Sequence, residues 1–406
     1  MRSATRASAV GGTGWPLIAA GTALIAVTYG LARYAYGLYL PTLRAEFALS
    51  ASAAGSLASV SYASYCLAIC LGAALTARAG ARRTAILAGA TATIGMGLIA
   101  VAHSISQLWI GVAVAGASTG FASPPLVALV ADRVRLAYQS RAQTAVNSGT
   151  GLGVLVAGPS ALLLATHWRW SWALFAALSL GVTVAIAATT RPIYGRSAAP
   201  DRLRRAGGST AGRPALATAA IGLGLVSSAY WTFGRDLLAV SGTDANAAGA
   251  AWIVLGAASI LAAVTGDLVA RYRIDVVWAS LLLLLSLATA GLSLAPQSLP
   301  IVLASAVLFG AGYVALTGIL ILWASRIEPQ RAATAVAAAF LLLSAGQLVG
   351  ATLIGMLIDH AGWTASFLTA ASSALAFTPL AATAHRNANA PPRSASVQDP
   401  ATQSCP

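Results

Sequence analysis

Apolar runs of about 20 residues follow one another along most of this 406-residue chain. A membrane-spanning α-helix needs about 20 mainly apolar residues, because the bilayer core is about 30 Å thick and the helix rises about 1.5 Å per residue. Only 8% of the residues are charged, far fewer than in a soluble domain. The predicted spans are 15–40, 51–77, 84–103, 107–131, 143–166, 170–190, 215–238, 246–270, 276–295, 300–325, 332–358 and 363–384.

A polar, arginine-rich stretch at 191–213 divides these spans into two groups of six. The two groups also match each other at a constant offset, which places Tyr36 on Tyr230 and Gly116 on Gly310. A constant offset from the first span to the fourth indicates an internal repeat. We therefore expect an all-α polytopic membrane protein of twelve helices in two six-helix pseudo-repeats. Its expected parts are a tail at 1–14, bundles at 15–190 and 214–384, a linker at 191–213 and a disordered tail at 385–406.

All 24 basic side chains are arginines, and their distribution predicts the orientation of the chain. Short cytoplasmic loops of membrane proteins are enriched in such residues. With the N-terminus inside, all but four arginines fall on cytoplasmic segments, the exceptions being Arg33, Arg44, Arg169 and Arg235. We expect both termini on the cytoplasmic side of a bacterial inner membrane. The membrane topology also accounts for the net charge of +14. Nucleic-acid binding would need basic residues clustered on one folded surface, so we expect none.

The loop after the second span, at 75–83, resembles the loop signature between helices 2 and 3 of the major facilitator superfamily. The family has an aspartate where this chain has Ala77. The resemblance implies that the loop helps to close a cytoplasmic gate. The alternative is a cytoplasmic turn whose arginines only reflect the orientation of the chain in the membrane. The expected gate residues are Arg78, Gly80, Arg82 and Arg83.

The fifth span is rich in glycine and resembles the glycine-rich motif of the superfamily's antiporters. Small residues let helices approach closely, and a proline inside a membrane helix bends it. The resemblance implies export, whereas packing alone is the alternative role of these residues. The expected hinge residues are Gly149, Gly153, Gly158 and Pro159.

The first span carries a guanidinium, Arg33, inside its apolar run. A charge at such a depth costs about 2.5–3.5 kcal/mol on insertion scales, so it normally faces the protein interior or a wet cavity. Tyr29 and Tyr36 lie on the same face of an α-helix as Arg33. A guanidinium can bind a carboxylate or similar anion through two hydrogen bonds and can stack on aromatic rings. Its alternative role is structural, as a tie between the two halves.

In the superfamily the substrate cavity lies between the halves, so polar side chains on the helices that line it are candidates by resemblance. The expected substrate-binding residues are Arg33, Tyr29, Tyr36, Tyr62, Tyr230, Trp231, Tyr313, Thr317 and Gln347. For each of these except Arg33, Tyr29 and Tyr36, helix packing is the stronger alternative. Proton coupling usually needs a titratable group within the membrane, but none of the ten acidic residues falls at mid-depth. Asp236 and Asp267, near helix ends, are the coupling candidates.

These features predict a secondary transporter that moves a small organic, anionic or amphipathic solute by alternating access. Proton-coupled export is one option, and uptake or facilitated diffusion of an organic anion is another. A non-transporting receptor or scaffold with the same fold is an alternative of a different class. Because the spans contain no nucleophile–base pair and no cluster of metal ligands, we expect no enzymatic activity, no cofactor and no metal. The expected partners are a small-molecule substrate, protons and the lipid bilayer, and a monomer suffices.

Overall fold

The computed structural model describes residues 15–164, 167–189, 212–328 and 332–380. Within these ranges the chain forms helices joined by short turns, which confirms the all-α prediction. The predicted tails at 1–14 and 385–406, and the linker except for its last two residues, lie outside the described part of the chain.

Six helices form the N-terminal half. They are α1 (Trp15–Phe47), α2 (Ala51–Ala79), α3 (Ala81–Ala100), α4 (Ile105–Arg133), α5 (Leu136–Asn147 and Gly149–Leu163) and α6 (Trp168–Thr189).

Six further helices form the C-terminal half. They are α7 (Arg213–Val240), α8 (Ala245–Ile260), α9 (Ile274–Leu294), α10 (Leu299–Ile327), α11 (Ala332–Ala361) and α12 (Trp363–Leu375). After α8 the chain continues through a 3₁₀ turn at Leu261–Val264 and a short helix at Thr265–Arg271. In the described residues ten of the twelve helices are long and apolar enough to cross a membrane, and α8 and α12 are shorter.

The first helix departs from the prediction in two ways. It continues through Pro41 to Phe47, whereas the sequence predicts an end at residue 40. A proline is tolerated within a membrane helix because neighbouring groups satisfy the freed backbone carbonyl. The middle of α1, Ala26–Tyr34, is a π-helix. A π-helix has more residues per turn than an α-helix, so side chains beyond it point in other directions than an α-helical spacing predicts.

The two halves meet chiefly along three helix pairs, in which α2 packs on α11, α5 on α8 and α1 on α7. Glycines allow these close approaches. A Cβ atom built on Gly37 of α1 would overlap the carbonyl oxygen of Trp231 on α7, and one on Gly55 of α2 would overlap that of Ala351 on α11. Interfaces of small residues are typical of membrane helices, which associate by van der Waals packing.

The glycines predicted as a hinge lie on two faces of α5. Gly149 and Gly153 pack on the backbone of α1, at Thr22 and Ala26, whereas Gly158 packs on Ile253 of α8. The regular helix is interrupted directly before Gly149, and Pro159 lies inside the second segment. This geometry accounts for packing, and a hinge at the interruption remains a prediction.

The helix ends define two faces of the bundle. We call the end that carries the short loops near residues 80, 134 and 272 the arginine-rich end. The other end, with the loops near residues 49, 242 and 362, is the opposite end.

Replacing Gly37 with alanine is expected to keep the opposite end from closing, because the added Cβ overlaps the carbonyl oxygen of Trp231. Spin labels on cysteines introduced at His103 and Ala245, which are exposed on the two halves at this end, should move apart by several ångströms. The native cysteines are first replaced by serine. Gly97→Ala is the matched control, since nothing lies within 4 Å of a Cβ built there. Equal label distances in both variants would contradict the expectation.

Candidate functional site

Arg33 lies in the π-helical part of α1, where this helix faces α11 of the other half. The residue is only 5% exposed. Its Nη2 donates hydrogen bonds to Ser344 Oγ, at 2.8 Å, and to Gln347 Oε1. Arg33 therefore joins the two halves through neutral side-chain oxygens.

Four tyrosine rings surround the guanidinium. Its Cζ lies 4.7 Å from the ring centroids of both Tyr62 and Tyr65 on α2, 5.5 Å from Tyr34 and 5.8 Å from Tyr29. Aromatic faces attract a cation through their quadrupole, most strongly where water is excluded. The positive charge is thus stabilised by aromatic faces and polar groups.

No carboxylate lies within 4.0 Å of Arg33 among the described residues. The ion pairs in the described part of the chain join other residues, namely Arg44–Asp236, Arg169–Glu46, Arg213–Glu328 and Arg273–Asp275. Arg33 Nε also lacks a hydrogen-bond partner within the described ranges. A buried charge without a counter-ion carries a desolvation cost that dipoles offset only in part. An anion that reached Arg33 would remove much of that cost.

The polar contacts continue from Arg33 into the C-terminal half. Gln347 Nε2 donates to the Tyr313 hydroxyl at 3.2 Å, and the hydroxyls of Tyr313 and Tyr34 are 3.1 Å apart. The ring of Tyr34 stacks on Trp231 with centroids 4.0 Å apart. Helices from both halves thus contribute to one continuous group of side chains around Arg33.

Three of the predicted binding residues have other contacts. Tyr36 donates to the carbonyl oxygen of Ala54 at 2.9 Å, and Thr317 donates to Val314 within its own helix. Tyr230 stacks on Phe309, with centroids 3.8 Å apart, and hydrogen-bonds with Ser305. These contacts are those of packing residues, and a substrate contact for them remains a prediction.

Three residues beside Arg33 are absent from the predicted set, namely Tyr34, Tyr65 and Ser344. Ser344 precedes Gln347 by three positions on α11, so their common helix face is a signal that points to it. Tyr34 follows Arg33 directly in the chain, and an α-helical wheel turns it away from Arg33. In the structure the Tyr34 ring nevertheless lies 5.5 Å from the guanidinium Cζ.

A cavity of about 1080 Å³ enters the protein at the arginine-rich end. Its inner lining includes Tyr29 and Ser123, whose hydroxyl groups are 2.7 Å apart. Since Tyr29 is one turn of helix away from Arg33, the cavity reaches the rim of the tyrosine group around the guanidinium. Its mouth is lined by Arg78, Gly80, Arg82 and Arg83.

The loop between α2 and α3 is a single residue, Gly80, with a φ of +89°. Glycine adopts this left-handed region without steric cost, which explains its use in so short a connection. Arg82 Nη2 donates to the carbonyl oxygen of Ala187 on α6 at 2.7 Å. In this state the loop therefore holds neighbouring helices of its own half, and the role of the predicted gate in closure remains a prediction.

The opposite end is closed by contacts between the halves. Arg44 of α1 forms an ion pair with the buried carboxylate of Asp236 on α7. Asp359 of α11 accepts hydrogen bonds from the backbone N–H groups of Ala51 and Ser52, at 3.1 and 2.8 Å, at the start of α2. A carboxylate at a helix N-terminus is favoured by the helix dipole. The bundle is thus open at the arginine-rich end and closed at the other.

The second coupling candidate, Asp267, falls in the helix Thr265–Arg271, but its side chain lies outside the described residues. Among the described side chains no group of three or more potential metal ligands occurs.

Comparisons with known proteins agree with this architecture. Two solved transporters share the fold, a D-xylose-proton symporter and the nucleoside transporter NupG, the latter solved as a point mutant. Their TM-scores are 0.73 and 0.70 at 15% and 12% identity. Each alignment covers 90% of this chain, with 97% of the symporter and 99% of the nucleoside transporter.

Sequence comparison identifies relatives among carboxylate transporters. Monocarboxylate transporter 11 of Homo sapiens is 31% identical over 394 residues, covering 89% of this chain and 81% of the human protein. Its Mus musculus counterpart is 28% identical and covers 89% and 85%, respectively. Residues 22–295 match the family model of the Major Facilitator Superfamily. On the strength of this match and of the human relative, the chain belongs to the Major Facilitator Superfamily.

Proposed function

We propose that this protein transports a small organic monocarboxylate across a membrane and that Arg33 binds the carboxylate group. The observation that carries the proposal is a buried guanidinium with no carboxylate partner among the described residues. A substrate carboxylate would supply the missing counter-charge and accept hydrogen bonds from Arg33. The similarity to a human monocarboxylate transporter supports this substrate class.

Transport requires that the site be reached from each end in turn. In transporters built from two such halves, the halves rock around a fixed central site. The cavity at the arginine-rich end supplies one route, which ends one turn from Arg33. The second route opens when the contacts of Arg44 with Asp236 and of Asp359 with α2 separate. These contacts form the gate at the opposite end.

We assign the arginine-rich end to the cytoplasm of a bacterial inner membrane, with both chain termini on that side. The loops near residues 80, 134 and 272 carry arginines, which cytoplasmic loops favour. The free energy of transport then depends on the charge that the substrate carries across the membrane potential. Moving one elementary charge against a potential of 100 mV costs about 2.3 kcal/mol, and a proton that moves with the anion cancels this cost.

Asp236 is the group that we assign to proton coupling. Its carboxylate is buried at the opposite end and pairs with Arg44 in the closed state. Once that gate opens, the Asp236 carboxylate separates from Arg44 and can exchange a proton with the opposite side. Direction then follows the combined gradients of proton and carboxylate, so one mechanism serves export and uptake.

The role of Arg33 is tested by Gln347→Glu, which gives the guanidinium a permanent carboxylate partner. We expect at least about a tenfold loss of affinity for pyruvate and benzoate in proteoliposome counterflow, because the substrate must displace a bound counter-charge. Gln347→Met is the matched control of similar volume, and it should retain most of the parent's affinity. If Gln347→Glu transports both acids as well as the methionine variant does, then Arg33 does not bind the carboxylate.

The role of Asp236 is tested by Asp236→Asn, which cannot carry a proton. In the parent, an imposed pH gradient should drive uphill accumulation of the acid. The variant should exchange substrate but lose the accumulation. Asp244→Asn is the control, since Asp244 caps α8 at the same end and asparagine is an equally good cap. Undiminished accumulation in Asp236→Asn would assign coupling to another group, and no accumulation in the parent would indicate facilitated diffusion.

A further inference from the structure

Five aromatic side chains form one cluster beside Arg33. They are Tyr34 of α1, Trp231 of α7, Trp252 of α8, and Phe309 and Tyr313 of α10. Trp231 lies at its centre, with ring centroids 4.0 Å from Tyr34, 5.4 Å from Phe309 and Tyr313, and 6.0 Å from Trp252. It is only 1% exposed.

The aromatic cluster is continuous with the guanidinium. The Tyr34 ring lies 5.5 Å from Arg33 Cζ. The hydroxyl of Tyr313 accepts a hydrogen bond from Gln347, whose oxygen in turn accepts one from Arg33. A molecule that placed an anionic group on Arg33 would therefore have aromatic faces next to it.

The stacked pair at the centre of the cluster crosses the boundary between the halves. Tyr34 belongs to the N-terminal half and Trp231 to the C-terminal half, and their planes are inclined by only 24°. One turn further along α1, Gly37 lies against the backbone of Trp231. Opening at the opposite end by separation of α1 from α7 would take Tyr34 off the face of Trp231. A flat ring from the substrate can take the position that Tyr34 vacates.

Trp231 also has an unused hydrogen-bond donor. Its Nε1 is buried and has no acceptor among the described residues. An unmade hydrogen bond of a buried donor has a free-energy cost, which a ligand that brings an acceptor can relieve.

We infer that the substrate is an aryl monocarboxylate, whose carboxylate binds Arg33 and whose ring stacks on Trp231. The inference rests on the proposed function and narrows its substrate class. Aromatic pairs are favoured over contacts of equal area with saturated groups, because the ring quadrupoles are complementary. The site should therefore distinguish benzoate from cyclohexanecarboxylate, which has the same number of carbon atoms and the same charge.

The experiment measures the half-saturation concentrations of benzoate and cyclohexanecarboxylate in counterflow with the full-length protein in proteoliposomes. We expect a value for benzoate lower by roughly three- to tenfold. Trp231→Leu should remove this preference by weakening benzoate alone, whereas Trp231→Phe keeps a ring and should retain most of it. Trp323→Leu is the matched control, because Trp323 is equally buried and also has an Nε1 without an acceptor in the described residues, but packs on Trp278.

The results separate the inference from the proposed function. Equal values for the two acids in the parent protein overturn the aryl preference, and so does a Trp231→Leu variant that weakens both acids by the same factor. Either result leaves carboxylate binding by Arg33 in place if Gln347→Glu still lowers the affinity for both acids. If the parent transports pyruvate but neither of these two acids, the aryl inference is overturned and the proposed function stands. Transport of none of the three acids overturns the proposed function, and the inference with it. If Trp231→Leu fails to fold, the half-saturation concentrations of the two acids in the parent protein still test the preference.

Discussion

The rest of this structure depends on the burial of one positive charge between two helical bundles. Arg33 is held by Ser344, Gln347 and aromatic faces, with no carboxylate beside it among the described residues. Neutral groups stabilise a buried cation less than an anion does, so the site is left ready for a negatively charged ligand. Because its hydrogen-bond partners lie on the other half, Arg33 is also part of the interface between the halves.

Small residues at the interface between the halves let the two bundles pack backbone against backbone at a few positions. Gly37 and Gly55 bring backbones of opposite halves into direct contact at the closed end. The same end carries the ion pair of Arg44 with Asp236 and the carboxylate of Asp359 on the start of α2. Close packing has few intermediate arrangements, so such an interface tends to be either closed or open. While this end is closed, the large cavity leaves the arginine-rich end open.

The aromatic cluster connects the charge with the interface. Tyr34 packs across the boundary on Trp231, and its ring also lies beside the guanidinium of Arg33. A substrate ring can replace a contact that opening removes, and this replacement offsets part of the free energy that opening costs. Binding and opening are linked in this way because a ligand shifts a conformational equilibrium only through contacts that differ between the two states.

The sequence by itself determined the twelve-helix architecture, the two halves and the burial of Arg33. These properties depend on the transfer of each segment into the bilayer, which composition and length decide locally. Only the tertiary structure decided which side chains meet the guanidinium. Tyr34 lies beside Arg33, and Tyr36 instead donates to the backbone of α2. The rotation of each helix, the closed ion pair and the open cavity depend on packing between distant segments, to which the local pattern of apolar residues is insensitive.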